Sequence, residues 1–175
     1  MDMTVICVNN LNYGMTGGQQ APSTPLGAKT TTSMDGSPEE PFNFSALASA
    51  CGAIYVARWT ALHVRLLTNS ITEAMQKKGF SFVEVLTPCP SSFSRRNKMG
   101  SALDTMKFYH DRSVIRNDID PHDAPLNLEH EIVVGRFVDT TRPTFMDNYE
   151  AVANKQMPAW LPQSPKAPPA NQEKA

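Results

Sequence analysis

The sequence predicts an α/β fold with a mostly parallel sheet flanked by helices. Two observations carry this reading. Short apolar runs alternate with helical stripes in the order strand, helix, strand, helix, strand, the pattern of parallel strands joined by right-handed crossovers. The first run, "TVICV" at residues 4–8, is apolar and β-branched nearly throughout, as in a strand covered on both faces rather than one.

The elements follow in order. After the first strand the chain passes through a long Gly, Pro, Ser and Thr region, residues 14–42, whose "SMDGSPEEP" is dense in turn signals. A loop of that length in a compact domain is either functional or without fixed structure. Phe44, Leu47, Ala48 and Cys51 recur at helical spacing, with Asn43 as N-cap and Gly52 as terminator. "AIYVA" (53–57) is the second strand. The next helix is expected over 61–78, capped by Thr60, with Val64, Leu67, Ile71 and Met75 as its apolar stripe and Lys77, Lys78 and Gly79 closing it. "FSFVEVL" (80–86) is the third strand. Beyond residue 115, "HEIVVGRFVD" reads as a strand or hairpin and "PTFMDNYEAVANKQM" as a terminal helix. Residues 158–175 hold five prolines and are expected to be an extended, disordered tail, since they offer too little apolar surface to offset chain entropy.

Composition excludes several roles. With 175 residues, the chain suffices for one domain with a real core. The 16 Lys and Arg against 17 Asp and Glu leave no basic excess for nucleic acid. No apolar stretch approaches the roughly 18 residues of a membrane span, nor is there a leader pattern, so a cytoplasmic protein is expected. Cys7, Cys51 and Cys89 are an odd, widely spaced set, which argues against a disulfide framework.

Ligands of open α/β sheets sit beyond the carboxyl ends of the strands. Two segments fall there, "NNLNYGMTGG" after the first strand and "TPCPSSFSRR" after the third. Asparagine amides and backbone carbonyls are neutral hard donors suited to Mg²⁺ when phosphate oxygens supply the charge. Asn10 and Asn12, two apart, can offer a side-chain and a main-chain oxygen to one cation. Gly14, Met15 and Thr16 can turn their amides toward a diphosphate. Asn and Gly are also ordinary turn residues, and the segment alone reads equally well as a polar turn.

The whole stretch "NNLNYGMTGGQQAPSTPLGAKTTTS" resembles the thiamine-diphosphate loop of the beta subunits of 2-oxoacid:ferredoxin oxidoreductases, most closely those of the 2-oxoglutarate type. The likeness continues through "EEPFNFSALASACGAIYVARWTALHVRLL", "SITEAMQKKGFSFVEVLTPCP" and "RRNK". It implies a thiamine-diphosphate-binding fold, here incomplete at its N-terminus. It further implies that Asn10 gives its side-chain oxygen and Asn12 its carbonyl to Mg²⁺, and that the turn from Tyr13 through Gly14, Met15 and Thr16 holds the diphosphate.

Cys89, set between prolines, is on its own more often an inert small hydrophobe than a metal ligand. By the resemblance it matches one of four cysteines that bind a 4Fe-4S cluster. The family's Cys-x-x-Cys pair, its other cysteine and the Gly-Asp-Gly segment that supplies an anionic Mg²⁺ ligand have no counterpart here. The likeness is thus to a C-terminal portion, the Mg²⁺ and cluster sites are expected to be completed by residues outside this chain, and the first strand, Met3 to Val8, is expected to lose a neighbour in the sheet and be more exposed than its β-branched content suits. Cys7, in a strand, and Cys51, on the apolar face of the first helix, are expected in the core. His63 reads as a surface or capping histidine, and Arg95 and Arg96 as a contact for a neighbouring subunit or acidic partner or, more commonly for such pairs, as solvated; no catalytic residue is assigned. Because the asparagine turn and Cys89 end different strands, loss of Cys89 is expected to leave thiamine diphosphate binding largely intact.

The resemblance implies an enzyme subunit that is inactive alone. The complex converts a 2-oxoacid and coenzyme A to acyl-CoA, succinyl-CoA for 2-oxoglutarate, and CO₂, reducing ferredoxin. Its implied partners are the alpha and other subunits. The alternatives are a silent fragment that only docks to partner subunits, or the same chemistry on pyruvate or another 2-oxoacid. In domain terms, residues 1–115 form part of the cofactor-binding domain, 116–157 an extension for subunit contacts, and 158–175 the tail.

Overall fold

The computed structural model describes residues 2–156. The expected tail lies outside them. Strands β1 (Met3–Asn9), β2 (Tyr55–Thr60), β3 (Phe80–Leu86), β4 (Ser113–Ile115) and β5 (Ile132–Asp139) join helices α1 (Phe44–Ala50), α2 (Val64–Gln76), α3 (Ala102–Arg112) and α4 (Phe145–Gln156). They form a five-stranded sheet in the order β1-β3-β2-β5-β4.

The three predicted strands are mutually parallel, β3 lying between β1 and β2. The "HEIVVGRFVD" segment is one strand, not a hairpin. β5 runs antiparallel to β2, with a register shift at Val56/Ala57, so the sheet is mixed at this side. A short β4, which local sequence does not announce, pairs parallel to β5.

β2 and β3 carry the core: all six residues of β2 are buried, as are six of the seven in β3. Alternation splits the core between two faces. Tyr55, Ala57, Trp59, Val83 and Val85 pack with Ala74 of α2 and Tyr109 of α3. Val56 and Phe82 pack with Ala48 of α1, Val133 and Phe137.

β1 is not covered on both faces as its composition alone suggests; it is more exposed than its β-branched content suits, as expected of a strand that has lost a sheet neighbour. It is an edge strand with Ile6 and Val8 exposed. Apolar composition reports that a strand can be covered, not that the neighbour which covers it is at hand.

The helix stripes also shift. α1 is capped as expected, Asn43 Oδ1 accepting from Ala46 N at 3.1 Å. Cys51, however, falls just past the helix and is exposed rather than in the core as expected, while Cys7 is half-buried and packs against the Val56 and Phe82 side of the core. In α2 the inward face is Leu67, Ser70, Ile71 and Ala74, whereas Val64 and Met75 are exposed. Ser70 replaces a larger apolar group because Trp59 Nε1 needs an acceptor and takes its Oγ at 2.7 Å. Thr60 does not cap α2. His63 stands at that position, and Thr60 Oγ1 bonds His63 Nδ1 at 2.8 Å and accepts from Leu62 N.

Candidate functional site: the carboxyl edge of β1 and β3

The loops leaving β1 and β3 run side by side because the strands are neighbours. Asn9 is in register with Leu86, and Thr87 N donates to Asn9 O at 2.9 Å. A cleft of about 430 Å³ opens beside the first loop, lined in part by Asn10, Asn12, Gly14, Met15 and Thr16.

The loop begins with Asn9, which is buried and fully engaged. Its Nδ2 donates to Glu84 Oε1 at 2.8 Å, and its Oδ1 accepts from Leu11 N at 3.0 Å and Ser23 Oγ at 2.7 Å. Leu11 then takes φ 66°, a left-handed conformation that costs a residue with a Cβ about 1 to 2 kcal/mol. Its side chain is buried in the core and its carbonyl accepts from Thr24 Oγ1 at 2.7 Å, so the surroundings hold a conformation the residue alone avoids.

That turn separates the two predicted ligands. Asn10 is half-buried, and its Oδ1 makes only a long contact, 3.5 Å, from Asn12 N. Asn12 is buried. Its Nδ2 donates to Ser92 Oγ at 3.0 Å, while its Oδ1 has no partner among the described residues. Its carbonyl accepts from Gly14 N at 3.1 Å and keeps a second lone pair.

Residues 13–19 close into a tight hairpin: Tyr13 N donates to Gln19 O and Gly18 N to Tyr13 O, at 3.0 and 2.9 Å. Of the three amides expected to face a diphosphate, Gly14's is committed to Asn12. Those of Met15 and Thr16 have no acceptor among the described residues. A Cβ at Gly14 would lie 3.0 Å from Asn10 Nδ2, 3.3 Å from Cys89 Sγ and 3.6 Å from Asn12 Oδ1. The glycine therefore lets the turn approach both the asparagine amides and the cysteine.

Tyr13, Met15 and Thr16 are exposed. Asn10's nearly free oxygen, the orphaned Asn12 Oδ1 and two unengaged consecutive amides are the donor chemistry a diphosphate and its Mg²⁺ require, so the residues present fit that group.

The second loop is a wide turn, Pro90–Ser94, in which Ser94 N reaches back five residues to Cys89 O at 3.0 Å. Such turns occur often at functional sites. Cys89 is buried. It ends a different strand from the cofactor loop, as expected, but the two strands are parallel neighbours and deliver their loops side by side. A four-thiolate cluster is another matter. Among the described residues no group of three or more His, Cys, Asp or Glu is placed to hold a metal.

Beneath the loops lies a network that motif reading missed. Arg58 and Glu84, both buried, pair at 2.7 Å. Glu84 Oε2 also accepts from Ser45 Oγ. Arg58 donates to Ala124 O at 2.8 Å and to Asn43 Oδ1 at 3.1 Å. The signal was present: a single charge inside each of the apolar strands "YVARWT" and "FSFVEVL", which can be buried only if paired. His63 is half-buried; burial first, then the nearby His110, hold its imidazole below the ordinary range. Arg95 is exposed and Arg96 half-buried, both outside the cleft.

Residues 1–85 match a family described as thiamine pyrophosphate enzyme, C-terminal TPP binding domain. The chain is 45% identical over 147 residues to the 2-oxoglutarate synthase subunit KorB of Methanothermobacter marburgensis, covering 84% of this chain and 51% of that one. The chain is similar to part of the beta subunits of the 2-oxoacid:ferredoxin oxidoreductases. The KorB subunit of Methanocaldococcus jannaschii is 43% identical over 156 residues, with 89% and 57% covered. A solved structure, 2-oxoglutarate:ferredoxin oxidoreductase from Magnetococcus marinus with 2-oxoglutarate, coenzyme A and succinyl-CoA bound, superposes with TM-score 0.70 at 26% identity, covering 88% of this chain and 53% of that one. The chain thus spans about half the length of the beta subunits it matches. No helix among the described residues is long and apolar enough to cross a membrane.

Proposed function

We propose that the chain contributes half of the thiamine diphosphate site of a 2-oxoglutarate:ferredoxin oxidoreductase. In this role Asn10 Oδ1 and the Asn12 carbonyl bind Mg²⁺, the amides of Met15 and Thr16 bind the diphosphate, and Tyr13 and Gly14 shape the turn. The observation that carries this reading is the juxtaposition, at the carboxyl end of β1, of Asn10's nearly unengaged oxygen with two free consecutive amides. When bound, thiamine diphosphate supplies the carbanion chemistry for decarboxylating a 2-oxoacid; this chain binds and orients it. The choice of 2-oxoglutarate, with coenzyme A, succinyl-CoA, CO₂ and ferredoxin as the other reactants, rests on the names of the relatives and the ligands of the solved structure.

Cys89 serves as one of four cluster thiolates, the others coming from residues this sequence does not contain. Contacts to the alpha and other subunits include α4, whose Phe145, Met146, Tyr149 and Val152 present an exposed apolar stripe. Calorimetry on the assembled complex tests the proposal. Mg²⁺-dependent thiamine diphosphate binding is expected to weaken by about 1 to 3 kcal/mol with Asn10→Ala, on the scale of a lost polar contact to a charged group. Unchanged binding removes the ligand assignment, and no binding in the assembled wild type favours a silent docking piece.

A further inference from the structure

We infer that Asn9 is a positioning residue for the Mg²⁺ site, set in place by the buried Arg58–Glu84 pair; this rests on the ligand assignment proposed for Asn10 and Asn12. Asn9 is not itself available as a ligand. Its oxygen is taken by Leu11 N and Ser23 Oγ, and its amide nitrogen by Glu84. What it controls is the backbone between the two ligands.

Leu11 sits at φ 66°, where a leucine does not rest unless it is held. Asn9 Oδ1 accepts the Leu11 amide and thereby fixes the turn that presents Asn10's side chain and Asn12's carbonyl from one short loop. An asparagine amide can flip, and the wrong orientation would place a donor opposite Leu11 N. Glu84 removes that freedom. A carboxylate accepts only, so Oε1 requires Asn9's nitrogen and leaves its oxygen for Leu11. Glu84's other oxygen is held in turn, accepting from Arg58 Nε at 2.7 Å and from Ser45 Oγ at 3.2 Å, so the carboxylate cannot turn away from Asn9 without breaking both bonds.

The chain of contacts thus runs from a core ion pair, through one amide orientation, to one strained residue flanked by both proposed ligands. Supporting groups of this kind typically change metal affinity by 10- to 100-fold.

The test uses the assembled complex and titrates Mg²⁺ at fixed thiamine diphosphate, reading binding by calorimetry at a temperature where circular dichroism shows each variant folded. Asn9→Ala is expected to raise the half-saturating Mg²⁺ concentration about tenfold. Saturating Mg²⁺ is expected to restore cofactor affinity; a purely structural role would lower the melting temperature without this Mg²⁺-specific shift. Asn9→Asp with Glu84→Gln exchanges donor for acceptor, keeps the net charge beside Arg58, and is expected to return the Mg²⁺ requirement to near wild type.

Should Asn9→Ala not fold, Ser23→Ala removes one donor to the same oxygen and is expected to shift the requirement in the same direction by a smaller factor. Wild-type Mg²⁺ dependence in folded Asn9→Ala, or in Ser23→Ala when that variant stands in, overturns the inference. Asn10→Ala is the control. If it shifts the requirement and Asn9→Ala does not, only the positioning role falls; if neither does, the ligand assignment falls with it.

Discussion

Asn12 Nδ2 donates to Ser92 Oγ at 3.0 Å, a bond that spans 80 residues of sequence and ties the asparagine turn to the wide turn after Cys89. On its other side Ser92 Oγ meets Gly18, where a Cβ would stand 1.9 Å away. One hydroxyl therefore fixes the distance between two loops.

Gly18→Ala is expected to displace Ser92 and, at φ 85°, to strain the hairpin as well. The combined cost is about 2 to 3 kcal/mol, read by denaturant unfolding. Adding Ser92→Ala removes the clashing oxygen but leaves the backbone strain and the Asn12 amide unpaired, so the double variant is expected to recover only part of the loss. Full recovery would show that the clash alone matters.

Arg58→Met leaves Glu84 buried without its cation. The expected loss is about 3 to 5 kcal/mol, the usual result of removing one member of a buried pair. The same substitution also vacates the donors to Ala124 O and Asn43 Oδ1, so the α1 N-cap and residues 121–124 are expected to lose hydrogen-exchange protection first. Uniform loss across the chain would contradict the network's role as a local tie.

Stability is expected to depend on pH through His63. Its imidazole is held below the ordinary 6.5, mainly by burial and then by His110. The unfolded chain therefore takes up this proton more readily than the folded one. The associated stability is fully present above pH 6.5, declines as pH falls through the lowered folded value, and is flat below it. His63→Gln is expected to flatten that segment of a melting-temperature against pH curve; an unchanged slope would assign it to other groups.

The three thiols are expected to react with a thiol reagent in a fixed order. Cys51 is exposed and reacts first. Cys7 follows slowly, since burial and then the Glu84 carboxylate push its thiol up. Cys89, buried under the Gly14 turn, reacts last. Mass mapping after partial labelling checks this, and early labelling of Cys89 would mean the two loops separate in solution. Three cysteines also cannot supply the four thiolates of a cluster, so anaerobic reconstitution of this chain alone is expected to leave it without a 4Fe-4S centre.

Local sequence by itself determined the three parallel strands, the Asn43 cap and the asparagine turn with Cys89 on the opposite loop, because strand runs, caps and turn residues act over a few positions. Only the tertiary structure decided that β5 enters antiparallel beside β2, and that Val64 and Met75 face outward while Ser70 faces in. Those outcomes depend on which neighbour occupies each face, which no short stretch encodes. The site divides the same way. Asn10, Asn12 and Gly14 are legible as donor types in a turn. Asn9 as an anchored amide, Leu11's left-handed backbone and Ser92's bridging hydroxyl arise from contacts with β2, β3 and the wide turn, brought together only when parallel neighbours deliver their loops to one edge of the sheet.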